Sequence, residues 1–195
     1  MGGSPAIPAV VALPEIKSYQ DFKGKAVAVD ALTTGYAFVS YDLLKPNELT
    51  SSDYKIEPAG GTLARWQGMQ EGKYAAAILN PPFSLIARSR GFNILDYARR
   101  VYCHYEETVA TTRRSWAAAN AKTLVAYIRA YVTAVEWLRD TSNRMEAIAI
   151  LRKYFPQLSE QVAEATYSEF IGPLGIAAKA QLDIAGVRKG LELRS

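Results

Sequence analysis

The sequence predicts an α/β fold on three observations. Short apolar runs alternate with helix-forming stretches from residue 8 to about residue 112. Three of those runs pass into the next helix through small or imino residues: Thr33-Thr34-Gly35, Gly60-Gly61 and Asn80-Pro81-Pro82. From Trp116 onward the pattern is helical only. Such alternation builds a mixed or parallel sheet with helices on its faces. A chain of 195 residues suffices for one large domain or two small lobes with a real core.

The elements follow in order. Met1-Gly2-Gly3-Ser4 reads as an appended leader, and PAVVAL at 8–13 as a short strand ending at Pro14. SYQDFKGK at 18–25 is a single helical turn closed by Gly24, and AVAVD at 26–30 is a strand. Thr33-Thr34-Gly35 opens a helix to about Leu44, stopped near Pro46. KIEPA at 55–59 is a weaker strand. Gly60-Gly61-Thr62 opens a helix with Leu63, Trp66 and Met69 on one face and Gly72 as its stop. AAAIL at 75–79 is a buried strand. Pro82 suits the first turn of the helix after it, where a missing N–H costs nothing. That helix ends at Gly91, and NILDY at 93–97 is a strand. VYCHYEETVATT at 101–112 reads as one long, partly alternating strand. Residues 116–139 form an amphipathic helix with Leu124, Ile128, Tyr131, Val132, Val135 and Leu138 on one side. A second helix runs from Asn143 to Tyr154, Ser159 caps a third, and a last one starts at about Lys179 after a glycine-bearing break.

Composition excludes several classes. Apolar residues make up 49% and charged residues 22%, ordinary for a globular protein. The net charge of +4 is scattered, with no basic run interleaved with aromatics, so nucleic acid is not an expected partner. A mildly basic surface fits an anionic ligand. No stretch has the roughly 18 apolar residues of a membrane span. Cys103 and His104 are the only residues of their types. A Cys/His zinc site needs several such ligands, so no metal or other cofactor is expected. In a strand, these two neighbours would face opposite ways, which is unsuited to a Cys–His nucleophile pair. Glu106 and Glu107 fail as an acid–base pair for the same reason. No catalytic residue is assigned, and the chain does not read as an enzyme.

The informative features are the strand-to-helix junctions. An exposed helix N-terminus carries unpaired N–H groups and a partial positive charge, so it attracts anions without a charged side chain. In an open α/β sheet such junctions gather at the carboxyl ends of the strands. The candidate ligand-binding residues are therefore Thr33, Thr34, Gly35, Tyr36, Gly60, Gly61, Arg65, Asn80 and Pro81. The threonines offer hydroxyls, and the glycines let backbone approach a ligand closely. Arg65, one turn into its helix, is placed to reach a carboxylate or sulfonate. Gly60-Gly61 fits neither GxGxxG nor a Walker loop, so it does not point to nucleotide phosphate. Each junction on its own also serves as a plain cap or turn.

The order of these motifs resembles a known family. KSYQDFKGKAVAVDALTTGYAF, GGTLARWQGMQEGKYAAAILNPPFSLIARSRGFNIL and RRSWAAANAKTLVAYIRAYVTAVEWLRDTSNRMEAIAIL resemble successive segments of the type II periplasmic solute-binding proteins of ABC transporters. The branch is that of the nitrate-, sulfonate-, taurine- and thiamine-precursor-binding proteins, and the resemblance runs from about Leu13 to Leu191.

It implies a type II periplasmic-binding-protein-like fold: one complete α/β lobe plus the helical C-terminal part of the other, closing by a hinge. Residues 1–13 would be leader and first crossing strand, 14–104 the ligand-binding lobe, and 105–195 the second crossing strand and helical part. It further implies binding of a small anionic solute (sulfonate, nitrate, carboxylate or pyrimidine-like), a membrane permease as partner, and a periplasmic or lipid-anchored extracytoplasmic location. Family members carry a strand-rich segment before the position of Pro8. A chain without it would leave apolar helix faces exposed and self-associate, by exchange of the tail or crossing strands. The alternative is a truncated binding-fold domain serving sensing or assembly with no transport role. Pyrimidine synthase relatives use histidine and a cysteine cluster, a pattern that Cys103-His104 does not match.

Overall fold

Val27–Val29 and Ala76–Leu79 are runs of alanine and branched aliphatic residues with no polar side chain, suited to strands buried on both faces. The computed structural model, which describes residues 1–195 apart from 6–7, 46–48, 103 and 174 and the side chains of 3–5 and Arg99, places both runs inside a sheet. Pro46, the expected stop of the first helix, and Cys103 lie outside the described residues.

The chain divides into two compact units. One comprises Ile7–Cys103 and Gly190–Ser195. Its sheet contains β2 (Ala9–Ala12), β3 (Ala26–Val29), β4 (Lys55–Pro58), β5 (Ala76–Leu79) and β6 (Asn93–Tyr97), in the order β4-β3-β5-β2-β6. β3 runs parallel to β4 and β5, whereas β2 is antiparallel to β5 and β6, so the sheet is mixed. β2 is an interior strand. All four of its side chains are buried, as a strand flanked by neighbours and covered on both faces requires.

Helices α1 (Gly35–Leu44), α2 (Thr62–Gln70) and α3 (Phe83–Ser89) follow β3, β4 and β5, and a short turn of helix, α4 (Ala98–Val101), follows β6. Phe22, Leu44, Met69, Ile78 and Leu79 form the centre of the core. On α2 the expected apolar face is partly corrected. Trp66 and Met69 are buried, but Leu63 is 51% exposed and Arg65 takes the inward position.

The other unit comprises Met1–Ala6 and His104–Lys189. Gly2–Pro5 forms strand β1, paired antiparallel with β7 (Glu106–Val109). The long strand expected over 101–112 is confined to these four residues of β7, because a ladder extends only as far as its partner and β1 is equally short. The helix expected over 116–139 is two: α5 (Arg114–Ala119) and α6 (Ala121–Arg139), separated at Asn120, whose ψ of 33° leaves the helical basin. α7 (Arg144–Tyr154) and α8 (Glu160–Ile171) pack together through Ile148, Val162, Ala163 and Tyr167. The Ser159 hydroxyl caps α8 by accepting the Val162 N–H at 3.3 Å. The last helix, α9 (Ile184–Glu192), starts five residues later than expected, because Asp183 supplies its cap by accepting the Gly186 N–H at 3.1 Å.

Of α6, Val135 is buried, while Val125 and Tyr127 are 45% and 57% exposed. An open cleft of about 820 Å³ lies beside it, lined by Met1, Thr112, Trp116, Leu124, Tyr127 and Ile128. Among the described residues no helix is long and apolar enough to cross a membrane.

Candidate functional site

Three parallel strands ending side by side bring their junctions to one edge of the sheet. The ladder continues past β3 and β4: the Ala59 N–H donates to Val29 O at 2.8 Å, and Gly60 N–H to Asp30 O at 3.2 Å. The residues following the two strands are thereby stitched together. Gly60 has φ +74°, a left-handed conformation that only glycine adopts freely, and Gly61 then caps α2 without a side chain. A Cβ at Gly61 would meet nothing within 4 Å, so the start of α2 is open to an approaching molecule.

At the first junction Thr34 is the N-cap of α1. Its hydroxyl accepts the Ala37 N–H at 3.4 Å and faces the Asp30 carboxylate and, at 2.9 Å, Ala31 O. Thr34 is therefore a cap engaged with the protein, whereas Thr33 and Gly35 are exposed. The third junction carries a cis Pro81-Pro82 bond, with Pro81 buried and Asn80 half-buried. Asn80 Nδ2 donates to the Tyr36 hydroxyl at 2.7 Å, which joins the end of β5 to the start of α1.

Arg65 is the residue whose placement the sequence reading missed. It is 1% exposed and turned toward the sheet. Its Nε donates to Ile78 O at 3.0 Å, Nη1 to Gly60 O, and Nη2 to the Thr62 hydroxyl at 3.1 Å. The guanidinium lies 5.2 Å from the centre of the Tyr36 ring. Burial pulls its pKa down, opposed by the negative charge of Asp30 and by Tyr36. Arg65 thus lies beneath the junctions, held by protein oxygens, rather than reaching into solvent for an anion. The available signal was its spacing: four residues before the buried Met69, it shares that helix face.

Thr33, Thr34, Gly35, Tyr36, Gly60, Gly61, Asn80 and Pro81 accordingly lie at one edge of the sheet, with Arg65 behind them. Such an edge brings together the starts of two helices of nine or ten residues, two hydroxyl side chains and an aromatic ring. That is a means of holding a small polar molecule by hydrogen bonds.

His104 is elsewhere. It precedes β7 and meets Asp183, Nδ1 to Oδ2, at 3.0 Å. The Asp183 carboxyl is held below the usual carboxylate range, first by the Gly186 N–H and then by His104. Asp183 N–H donates to Glu106 at 2.9 Å, so this cluster ties the start of α9 to β7. No group of three or more His, Cys, Asp and Glu among the described residues is placed to hold a metal ion.

The comparisons agree with this architecture. A protein from Bordetella bronchiseptica RB50 superposes with a TM-score of 0.79 at 18% identity, over 99% of this chain and 64% of its own. The alkanesulfonate-binding protein SsuA from Xanthomonas axonopodis pv. citri, bound to MOPS, gives 0.68 at 15% identity, over 97% and 64%. The desulfurization enzyme DSZB gives 0.51 at 13% identity, over 100% and 69%. The fold is that of the periplasmic-binding-protein-like structures, and the chain spans about 64% of the length of the first two. No curated protein matches in sequence. The model of the NMT1-like family matches residues 17–152, from the turn before β3 into α7 and across every junction described above. The chain belongs to the NMT1-like family.

Proposed function

We propose that this chain binds a small anionic solute as the substrate-binding component of an ABC importer and is not itself an enzyme. The observation that carries the reading is the gathering of the β3–α1, β4–α2 and β5–α3 junctions at one sheet edge, with the starts of α1 and α2 exposed at Gly35 and Gly61. Helix N-termini favour negative charge, and two converging on one place favour a compact anion such as a sulfonate, nitrate or carboxylate. The likeness to an alkanesulfonate-binding protein supports a sulfonate as the first class to try. Thr33, Gly35, Gly60 and Gly61 are assigned to the anion, with Tyr36 against its apolar body. Thr34, Asn80 and Pro81 shape the site from within, as does Arg65.

The proposal extends to a membrane permease as partner and to an extracytoplasmic location with a lipid anchor. It also takes residues 14–104 as the ligand-binding lobe. Self-association is proposed through the open cleft at α5 and α6, where Trp116 and Tyr127 are 44% and 57% exposed. A monomer by light scattering in concentrated solution would refute that part. Calorimetric titration with butanesulfonate, taurine, nitrate, an aromatic carboxylate and a pyrimidine tests the main reading. Saturable binding of at least one anion is expected; binding of none, or turnover of any, would overturn it.

A further inference from the structure

Arg65 does more in this structure than fill the core. A guanidinium buried to 1% exposure must fasten its donors, and where they are fastened is informative. Ile78 O is near the end of β5. Gly60 O belongs to the left-handed turn after β4, and the Thr62 hydroxyl to the first residue of α2. The Tyr36 ring facing the guanidinium belongs to the first turn of α1, and its hydroxyl accepts from Asn80 at the third junction. One side chain therefore reaches all three junctions. Its hydrogen-bond partners are neutral oxygens, and Asp30 acts on it through space, so a positive charge sits beneath the site without a bonded counter-ion among these contacts.

We propose that Arg65 is a positioning and specificity-determining residue: without touching the ligand, it holds the three junctions as one surface and makes that surface select an anion over a neutral molecule of the same shape. This rests on the solute-binding reading above. The fork of the guanidinium is needed because each of its three nitrogens engages a separate acceptor, and a lysine ammonium would keep the charge but not that geometry. A methionine would retain much of the packing volume and lose both. A role limited to filling space would be met by methionine.

The experiment compares the wild-type chain with Arg65→Lys and Arg65→Met, using butanesulfonate and the neutral butyl methyl sulfone as probes. Amide resonances are followed both without ligand and during titration. The wild type should prefer the sulfonate at least tenfold. Arg65→Met should reduce that preference below about threefold. Arg65→Lys should keep the preference while both probes bind several-fold more weakly. Without ligand, both variants should shift the amides of Gly35, Tyr36 and Asn80 as well as those of Gly61 and Thr62. In Arg65→Met, an unchanged preference or an equal loss for both probes overturns the proposal. Ligand-free shifts confined to α2 also overturn it. If the wild type binds neither probe, the solute-binding reading fails for sulfonates on its own account. The selectivity half of the proposal falls with it, and the ligand-free shifts decide whether Arg65 holds the three junctions together. Where Arg65→Met fails to fold, Arg65→Gln, which keeps a hydrogen-bond donor and loses the charge, is put to the same comparison and should likewise reduce the preference below about threefold.

Discussion

Replacing Gly61 by valine should remove ligand binding and leave the fold nearly intact. Gly61 has φ −62° and ψ 165°, an extended conformation open to every L-residue. Its added Cβ would meet nothing within 4 Å, so no clash is introduced. Valine is a poor helix cap, which costs about 1 kcal/mol, and the narrowed unfolded ensemble offsets roughly half of that. For a chain of this size the melting temperature should fall by no more than about 2–4 °C. The same side chain would stand over the first amides of α2. Losing two hydrogen bonds to an anion, at about 1.5–3 kcal/mol each, weakens binding by roughly a hundredfold or more. Calorimetry with the tightest anion of the panel, beside a thermal melt followed by circular dichroism, measures both. Gly60→Val is the contrasting control: at φ +74° it adds backbone strain of about 1–2 kcal/mol and should lower the melting temperature. Full affinity in a folded Gly61→Val protein would refute the assignment of this junction to the site.

Other outcomes follow from the same contacts. Thr34→Ala removes the acceptor of the Ala37 N–H and should cost about 1 kcal/mol, seen as a lower melting temperature; an unchanged one would contradict its role as a cap. Met69→Ala, at a side chain 1% exposed, should cost about 2–5 kcal/mol by urea unfolding, and a cost below 1 kcal/mol would show that the site is not packed as described. The Asp183 carboxyl titrates below its ordinary value in the folded chain. Its contribution to stability is therefore present above the unfolded carboxylate pKa of about 4 and is lost as pH falls through the folded one. Urea midpoints measured down the acid range should drop less steeply in Asp183→Asn than in wild type; parallel slopes would remove Asp183 from the acid response.

Much of the sheet-bearing unit was legible because its signals are local. Val27–Val29 and Ala76–Leu79 are apolar on both faces, Thr34 caps, and Gly60 and Gly91 stand where φ is positive. The rest depended on distant partners. Gly2–Pro5 has no strand signal of its own and becomes one only through pairing with β7, more than a hundred residues away. The start of α9 is set by Asp183, whose cap is supported by Glu106 from β7. At the site, the residue types that gather at a sheet edge could be read. The inward turn of Arg65 could not, since a charged side chain one turn into a helix is ordinarily assigned to solvent. Only acceptors at Ile78, Gly60 and Thr62, two of them set by the strand ends, make its burial tolerable. The break at Asn120 has no proline or glycine to announce it.

In the proposed function, a small anion is held where β3, β4 and β5 end. Titrating isotope-labelled protein with butanesulfonate and following the backbone amides tests this most directly. Saturable shifts are expected, centred on Gly35, Tyr36, Gly61, Thr62 and Leu63, at the exposed starts of α1 and α2. Shifts centred instead on Trp116, Leu124 and Tyr127 around the α5–α6 cleft, or no saturable shift with any anion of the panel, would contradict it.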